Sequence, residues 1–469
     1  MSIGWGQDCI EGEEVELWGE CYDIEETTSL VLYGPDIIGE IPNEIGNLIN
    51  LQQLHLGNRL TRGIPFEIGD LENLTSLKLD YNQLGCYNYD FDENICLTYC
   101  NDTNECSGEI PSSIGNLTNL TNLELELNHL DGEIPPEIGN LINLERLTLG
   151  FNNFSGEIPS SIGNLTNLTY LSLYGNELTD NQLTGEIPVE IGNLTNLTSL
   201  SLSYNELNGE IPPSIGNLTN LEWLYLNDNQ LTGEIPSSIG NLTNLWYLNL
   251  SFNQLTGGIP PEIGSLTFLN YLGLFNNELT EEIPLEIGNM TNLTRLYLSS
   301  NQLTGSIPSE IGNMTNMEIL DVRNNQLMGE IPLEICNQGD NTPNLGNNQL
   351  CPPYPECLTE EDIGYQDTSN CEEPSLCDEE IEVELWGECY NIEETTSLNL
   401  SNSDLTGEIP PEIGNLENLT ILDLSNVGLN GQIPPGLEKG WILDATFTPS
   451  PNTSPSRKTI SPICIPILT

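Results

Sequence analysis

Gly-x-Ile-Pro, with Glu281 in the glycine's place at one corner, returns through the middle of this chain with its isoleucine at 187, 211, 235, 259, 283, 307 and 331, six successive steps of 24 residues between Gly185 and Pro332. No other feature restricts the fold as tightly. A period that strict means stacked coils, each too small to bury its apolar face alone. A second block sits between the corners, as in Leu221-Glu-Trp-Leu-Tyr-Leu-Asn-Asp-Asn-Gln-Leu231. Alternation puts Leu224 and Leu226 on one face of a short strand and Tyr225 on the other, so successive coils line up a parallel sheet. Asn229 ends the strand, as do Asn205, Asn253, Asn277, Asn301 and Asn325 in their coils. An amide there can both donate and accept where the chain turns inward. Proline falls where no backbone donor is needed, and the return through Ile-Gly-Asn-Leu-Thr-Asn is expected to be a 3-10 or short helical turn.

The same corners continue upstream at Ile41, Ile64, Ile110, Ile134 and Ile158, with three irregular steps. One step is a residue short, before Asn58. Another carries an insertion at 85–107 that holds Cys86, Cys96, Cys100 and Cys106, and four cysteines permit three connectivities. The third adds five residues, Asn176–Asp180, expected to form a local loop. The segment Glu14-Val-Glu-Leu-Trp-Gly-Glu-Cys21 recurs as Glu382-Val-Glu-Leu-Trp-Gly-Glu-Cys389, each copy with a cysteine twelve residues earlier. A disulfide-clamped segment can cover the open core of a first coil, so Cys9–Cys21 and Cys377–Cys389 are predicted, and two caps imply two arrays. The expected organisation is a cap at 1–30, an array at 31–335 and a C-terminal cap and linker at 336–376 with Cys336, Cys351, Cys357 and Cys371. A second cap follows at 377–398, then a partial array at 399–435. The tail at 436–469, where Cys464 stands alone, is expected to be disordered or aberrant.

Asp and Glu number 71 against 9 Lys and Arg, a formal net charge of -62. Such a surface repels nucleic acid and anionic membranes. The 37% apolar content is too rich for a disordered acidic chain. No apolar run reaches the length of a membrane span, and Met1–Gln7 shows neither the basic nor the apolar region of a secretory signal. The thirteen cysteines nevertheless avoid the regular coils and gather at array ends and in one insertion, as disulfides of an oxidising compartment would. The protein is therefore expected to be extracellular or at a cell surface, exported by a segment or route outside these residues.

The consensus Leu-x-x-Leu-x-Leu-x-x-Asn-x-Leu-x-Gly-x-Ile-Pro, met at 197–212 and in the coils around it, resembles the plant-type leucine-rich repeat across roughly 27–335 and 395–435. Trp18-Gly-Glu-Cys21 is similar to the end of that family's N-terminal cap. The family includes receptor-kinase ectodomains and polygalacturonase-inhibiting proteins. The resemblance implies an α/β solenoid, a right-handed superhelix with a parallel concave sheet, a convex side of 3-10 or short helical turns, disulfide caps, and ligands held on the concave face. The chain departs from the receptors in lacking a membrane span or kinase block.

Outward strand positions in the middle coils carry Tyr170, Tyr174, Tyr204, Trp223, Tyr225, Trp246, Tyr247, Tyr271, Phe275 and Tyr297, interleaved with Ser199, Ser201, Asn227, Asp228, Asn249 and Asn276. Aromatic side chains on a rigid sheet supply contact area at little entropic cost, so this row is the candidate binding surface. Strand propensity alone would also favour them. Arg146, Arg295 and Arg323 share the face and could meet acidic ligand groups. The expected partner is a protein or peptide; a glycan on the same face, or a purely structural coat with no ligand, are the alternatives. Two glutamate rows, one of Glu157, Glu186, Glu210 and Glu234 and one of Glu262, Glu286, Glu310 and Glu334, should repel along the stack and could attract divalent cations or favour saline surroundings. Asp90-x-Asp92-x-Asn94 has calcium-loop spacing without the later glycine and glutamate. Asn-x-Thr sequons at Asn116, Asn164, Asn193, Asn217 and Asn241 would be glycosylated in a eukaryotic secretory pathway. His55 and His129 have no partner at metal spacing, and no catalytic triad or phosphate loop occurs. No enzyme activity, cofactor or metal is expected, and the chain is expected to be a monomer.

Overall fold

A computed structural model describes residues 9–34, 37–57, 59–103, 105–175, 181–371, 377–378 and 381–429, together with the backbone of 442–445. The chain divides into two compact units, Met1–Cys371 and Glu372–Thr469.

In the first unit, twelve parallel strands run in one sheet from Ser29–Tyr33 to Ile319–Asp321. The central leucines set the register: Leu200 pairs with Leu224, Leu224 with Leu248, and Leu248 with Leu272. Leucines on both sides of each outward residue are fully buried, so a slip of one residue would expose the whole interior. Most strands stop after three residues because the chain soon turns left-handed, with φ of 55° at Tyr204, 54° at Asp228 and 52° at Phe252.

The ladder asparagine follows that turn. Asn253 Nδ2 donates to the carbonyls of Leu226 at 3.0 Å, Leu250 at 3.1 Å and Ser251 at 3.2 Å. Its Oδ1 accepts from the Leu231 amide at 3.0 Å. One side chain thus satisfies the backbone of its own coil and the one before it, where water is excluded. The pattern repeats at Asn229, Asn277, Asn301 and Asn325.

Each return is a five-residue 3-10 turn with proline at its N-cap, as at Ser237–Asn241 after Pro236. Gly240 in that turn is required by stacking, since a Cβ there would lie 2.5 Å from the Glu262 carbonyl oxygen of the next coil. At the other recurrent glycine two demands coincide. Gly233 has φ of 73°, and the Glu210 side chain of the preceding coil lies across it, 2.7 Å from where a Cβ would stand.

The hairpin Glu14–Leu17 and Glu20–Asp23 covers the first coil; Cys9 is bonded to Cys21, Leu17 is buried, and Trp18 Nε1 donates to the Glu40 carbonyl at 3.2 Å. The far end is closed by Cys336–Cys357 and Cys351–Cys371 and by the four-residue helix Glu360–Ile363, with Thr359 and Asp362 forming a capping box. That helix is the only α-helix among the described residues, so the convex side is 3-10 in character. In the insertion, Cys86–Cys96 ties a hairpin of Cys86–Asp90 and Ile95–Tyr99, and Cys100–Cys106 ties the return. The five-residue addition at 176–180 lies outside the described residues.

The second unit repeats the plan on a smaller scale. Cys377 is bonded to Cys389 beside the hairpin Glu382–Leu385 and Glu388–Asn391. Its parallel sheet has three strands, Ser397–Asn399, Ile421–Leu424 and Ile442–Ala445. The last lies within 436–469, the stretch expected to be disordered or aberrant. Ile442-Leu-Asp-Ala repeats the spacing of Ile421-Leu-Asp-Leu and pairs with it residue for residue. The remainder of the tail, including Cys464, lies outside the described residues.

Candidate ligand-binding surface

Parallel pairing stacks equivalent residues of successive coils directly beside one another. One outward column runs Ser199, Trp223, Tyr247, Tyr271, Arg295; the next runs Ser201, Tyr225, Asn249, Gly273, Tyr297. The rings join both columns. Tyr225 and Tyr247 have centroids 4.7 Å apart, Tyr247 and Tyr271 stack at 4.2 Å and 6°, and Tyr271 meets Tyr297 at 5.5 Å. Phe275 touches Tyr297 at 5.8 Å and Phe252 at 5.1 Å, closing a six-ring patch. Gly273 makes the stack possible, because a Cβ there would stand 2.8 Å from Tyr271 Cε1 and 3.0 Å from its hydroxyl.

Burial drives the Tyr271 phenol far above its ordinary value, aided by Tyr247 beside it, and burial raises Tyr247 and Tyr225 as well. All three stay neutral throughout the physiological range and keep their hydroxyl protons. Tyr271 is hydrogen-bonded to Tyr247, which is also bonded to Asn249. The patch therefore presents flat apolar faces with a line of hydroxyls, without formal charge. A second, smaller group forms upstream, with Tyr174 5.0 Å from Phe151 and 5.2 Å from Tyr204.

Trp246 stands off the columns, and Tyr170, though on the first column beside Ser199, is not open there. Trp246 precedes the strand Tyr247–Asn249, so it lies on the rim and not on the concave columns, its ring 6.5 Å from Tyr247. Tyr170 is covered by Arg146, whose guanidinium carbon is 3.8 Å from the ring centroid. The small polar residues are not exposed between the rings: Ser199, Ser201, Asn227 and Asn249 are all buried. The reason is size. Large rings in adjacent coils lean across short neighbours, and Ser203 Oγ and Ser251 Oγ turn to the amide oxygens of Asn227 and Asn249 at 2.8 and 2.6 Å. Phe151 and Phe252 were missing from the expected row. Each stands immediately before its ladder asparagine, at the left-handed position, and that spacing is the signal that could have found them.

The three arginines are also engaged by the chain itself. Arg146 Nε lies 3.7 Å from Glu124 Oε1, an oxygen shared with Lys78 Nζ at 2.9 Å. Arg295 pairs with Glu318 at 3.1 Å and Arg323 with Asp321 at 3.3 Å. None stands as a bare cation awaiting an acidic ligand group.

Among the described residues, the only triads of His, Cys, Asp or Glu with converging ligand atoms are Cys9, Glu14, Cys21 and Cys377, Glu382, Cys389, and their sulfurs are committed to disulfides. Asp90 Oδ1 accepts from the amides of Asp92 and Glu93, which makes Asp90–Asn94 a hairpin tip. His55 is bonded to Ser76 Oγ at 2.8 Å. His129, bonded to Gln83 at 3.0 Å and packed between Tyr89 and Tyr99, anchors the inserted hairpin; burial lowers its pKa. No helix among the described residues is long and apolar enough to cross a membrane.

Comparison with known proteins agrees with this architecture. Family models described as leucine-rich repeat region and leucine-rich repeat match residues 236–336, 195–255, 119–141, 143–165, 167–194, 394–416 and 418–439. No curated protein sequence matches the chain. Among solved structures, the plant peptide hormone receptor RGFR1 in complex with RGF2 is 33% identical with a TM-score of 0.60, over 88% of this chain and 57% of that one. The ectodomain of the Arabidopsis receptor kinase HAESA in complex with a peptide hormone is 28% identical with a TM-score of 0.51, over 91% of this chain and 74% of that one. The chain thus spans little more than half the length of the first of these proteins.

Proposed function

The chain belongs to the leucine-rich repeat family, and on that premise we propose that it is a non-catalytic, extracellular binding protein that holds a peptide segment of its partner on the concave sheet. The six-ring patch from Tyr225 to Phe252 carries this reading. It offers an uncharged, preorganised aromatic floor in the middle coils, and a rigid floor costs little entropy when a ligand settles on it. The likeness to two receptor ectodomains solved with peptide hormones supports a ligand of the same class. With a net charge of -62, the protein steers basic peptides inward and repels acidic ones.

The test uses a random linear peptide library displayed on phage and selected against the full chain. Selected peptides should bind a variant with Tyr225→Ser, Tyr247→Ser and Tyr271→Ser at least about a hundredfold more weakly, since each anchoring ring contributes on the order of 1–2 kcal/mol. Circular dichroism establishes that the variant keeps its sheet. Undiminished binding to the folded variant would remove the concave patch from consideration.

A further inference from the structure

The rim beside the concave sheet carries a different chemistry. Its first position is Asn in nearly every coil, and its second is often Thr, as at Asn196 and Thr198, or Glu, as at Glu145, Glu222 and Glu318. Asn196, Asn220 and Asn244 each donate from Nδ2 to a carbonyl of the preceding coil, at 2.8, 2.9 and 2.9 Å. One N–H of each amide is thereby fixed. The other N–H and the Oδ1 stay directed to the exterior, as a row of oriented donors and acceptors.

In three adjacent coils this row meets aromatic side chains. Trp246 replaces the threonine and is 48% exposed, while Phe268 replaces the asparagine and is 62% exposed. With Trp223 they line an open groove of about 670 Å³ whose other walls include Asn220, Asn244 and Glu222. Aromatic burial would stabilise the fold, so two large rings held half in water at successive coils have no structural rationale. The rim asparagines of this stretch are not themselves glycan acceptors, although Asn217 and Asn241 of the adjoining turns begin Asn-Leu-Thr. The rim asparagines at 167, 196 and 292 each begin Asn-Leu-Thr, whereas 220 begins Asn-Leu-Glu, 244 begins Asn-Leu-Trp, and 268 is phenylalanine preceded by Ser265 instead of Asn.

We propose that this rim groove binds an unbranched neutral glycan. Indole and phenyl faces are the surfaces against which pyranose C–H groups pack, and the fixed amides are matched to its hydroxyls, which both donate and accept. Successive coils advance about 4.8 Å, close to the length of one sugar residue in an extended chain, so each ring can meet one coil. A peptide strand has no such fit. The backbone here is already consumed, with the amides of Trp246 and Tyr247 donating to the Glu222 carbonyl at 2.8 and 3.0 Å, and no free sheet edge is offered. Acidic polysaccharides are repelled by the overall charge and by Glu222 in the groove. The groove borders the concave patch, since Trp223 pairs with Tyr247, but Trp246 and Phe268 lie outside the six stacked rings, so the two sites can be tested apart.

The decisive variant is Trp246→Thr with Phe268→Asn, which restores the repeat's own residues and so leaves folding intact. Calorimetric titration of the full chain with cellohexaose, xylohexaose, mannohexaose and chitohexaose should show saturable binding by at least one. The double variant should bind that sugar at least about tenfold more weakly, a loss of about 1.4 kcal/mol. The proposal is overturned if none of the four sugars binds, or if the double variant binds as tightly as the parent. Loss of sugar binding on Tyr271→Ala with the rim variant unaffected would also overturn it, by moving recognition to the concave face.

Discussion

Asp131→Asn should stabilise the protein at neutral pH and leave it unchanged in acid. Asp131 opens the strand Asp131–Glu133, where the equivalent residue of other coils is often threonine, as at Thr232 and Thr256. The cysteine-rich insertion buries it to 6% exposure, Oδ1 has no hydrogen-bond partner among the described residues, and Glu109 and Asp102 add like charge. Burial, with these carboxylates, raises its pKa from 3.8 to about 6, against the pull of an Asn101 hydrogen bond. A carboxyl whose folded pKa is raised contributes its stabilisation below pH 3.8, in the protonated form, and loses it as pH climbs through about 6. Above that, the folded protein carries a charge it disfavours. At about 1.4 kcal/mol per tenfold shift the cost reaches at most about 3 kcal/mol, and solvent screening brings it to roughly 1–2. Asparagine keeps the shape and hydrogen-bonding capacity but never ionises. Urea unfolding followed by circular dichroism should give Asp131→Asn a gain of about 1–2 kcal/mol near pH 7.5 and none near pH 4. An equal difference at both pH values would refute the electrostatic account, because only the ionised form is at issue.

Asn253→Ala should cost about 2–4 kcal/mol in urea unfolding, since the Leu231 amide and the Leu226 carbonyl lose their buried partner together; a loss under about 1 kcal/mol would mean that water reaches the ladder. Raising sodium chloride from about 0.1 to about 1 M should raise the melting midpoint by screening the glutamate rows. Calcium at low ionic strength should raise it further if divalent cations settle there, and a midpoint indifferent to both would dispose of strain along the rows.

Which parts of this molecule could be read from its sequence follows from the reach of the forces involved. Burial at Leu224, Leu248 and Leu272 depends only on a period and its phase, so a repeat of 24 residues is enough to specify the sheet and its register. Positions on the outer face obey the same arithmetic, yet a single residue of phase separates two surfaces there. Tyr247 stands on the concave column and Trp246 beside it on the rim, and the sequence row that held both joined sites that the coil keeps apart. Side-chain lean is a further step removed. Tyr271 lies down because Gly273, two residues on, leaves the space, and the same lean buries Asn249. Periodicity says nothing of it. Least legible is Asp131, an ordinary repeat position whose environment is made by an insertion beginning some forty residues earlier. Its acidity depends on how Cys100–Cys106 ties that insertion, one of several pairings the spacing permits. In a solenoid, then, interior residues answer to their neighbours one coil away and are fixed by the repeat itself. The residues that distinguish this chain are those where a neighbour departs from the repeat: a glycine that lets a ring fall flat, a phenylalanine in an asparagine row, a loop laid over a carboxylate. Each departure is visible in the sequence, but what it does is set by the residue of the adjacent coil that it uncovers or covers.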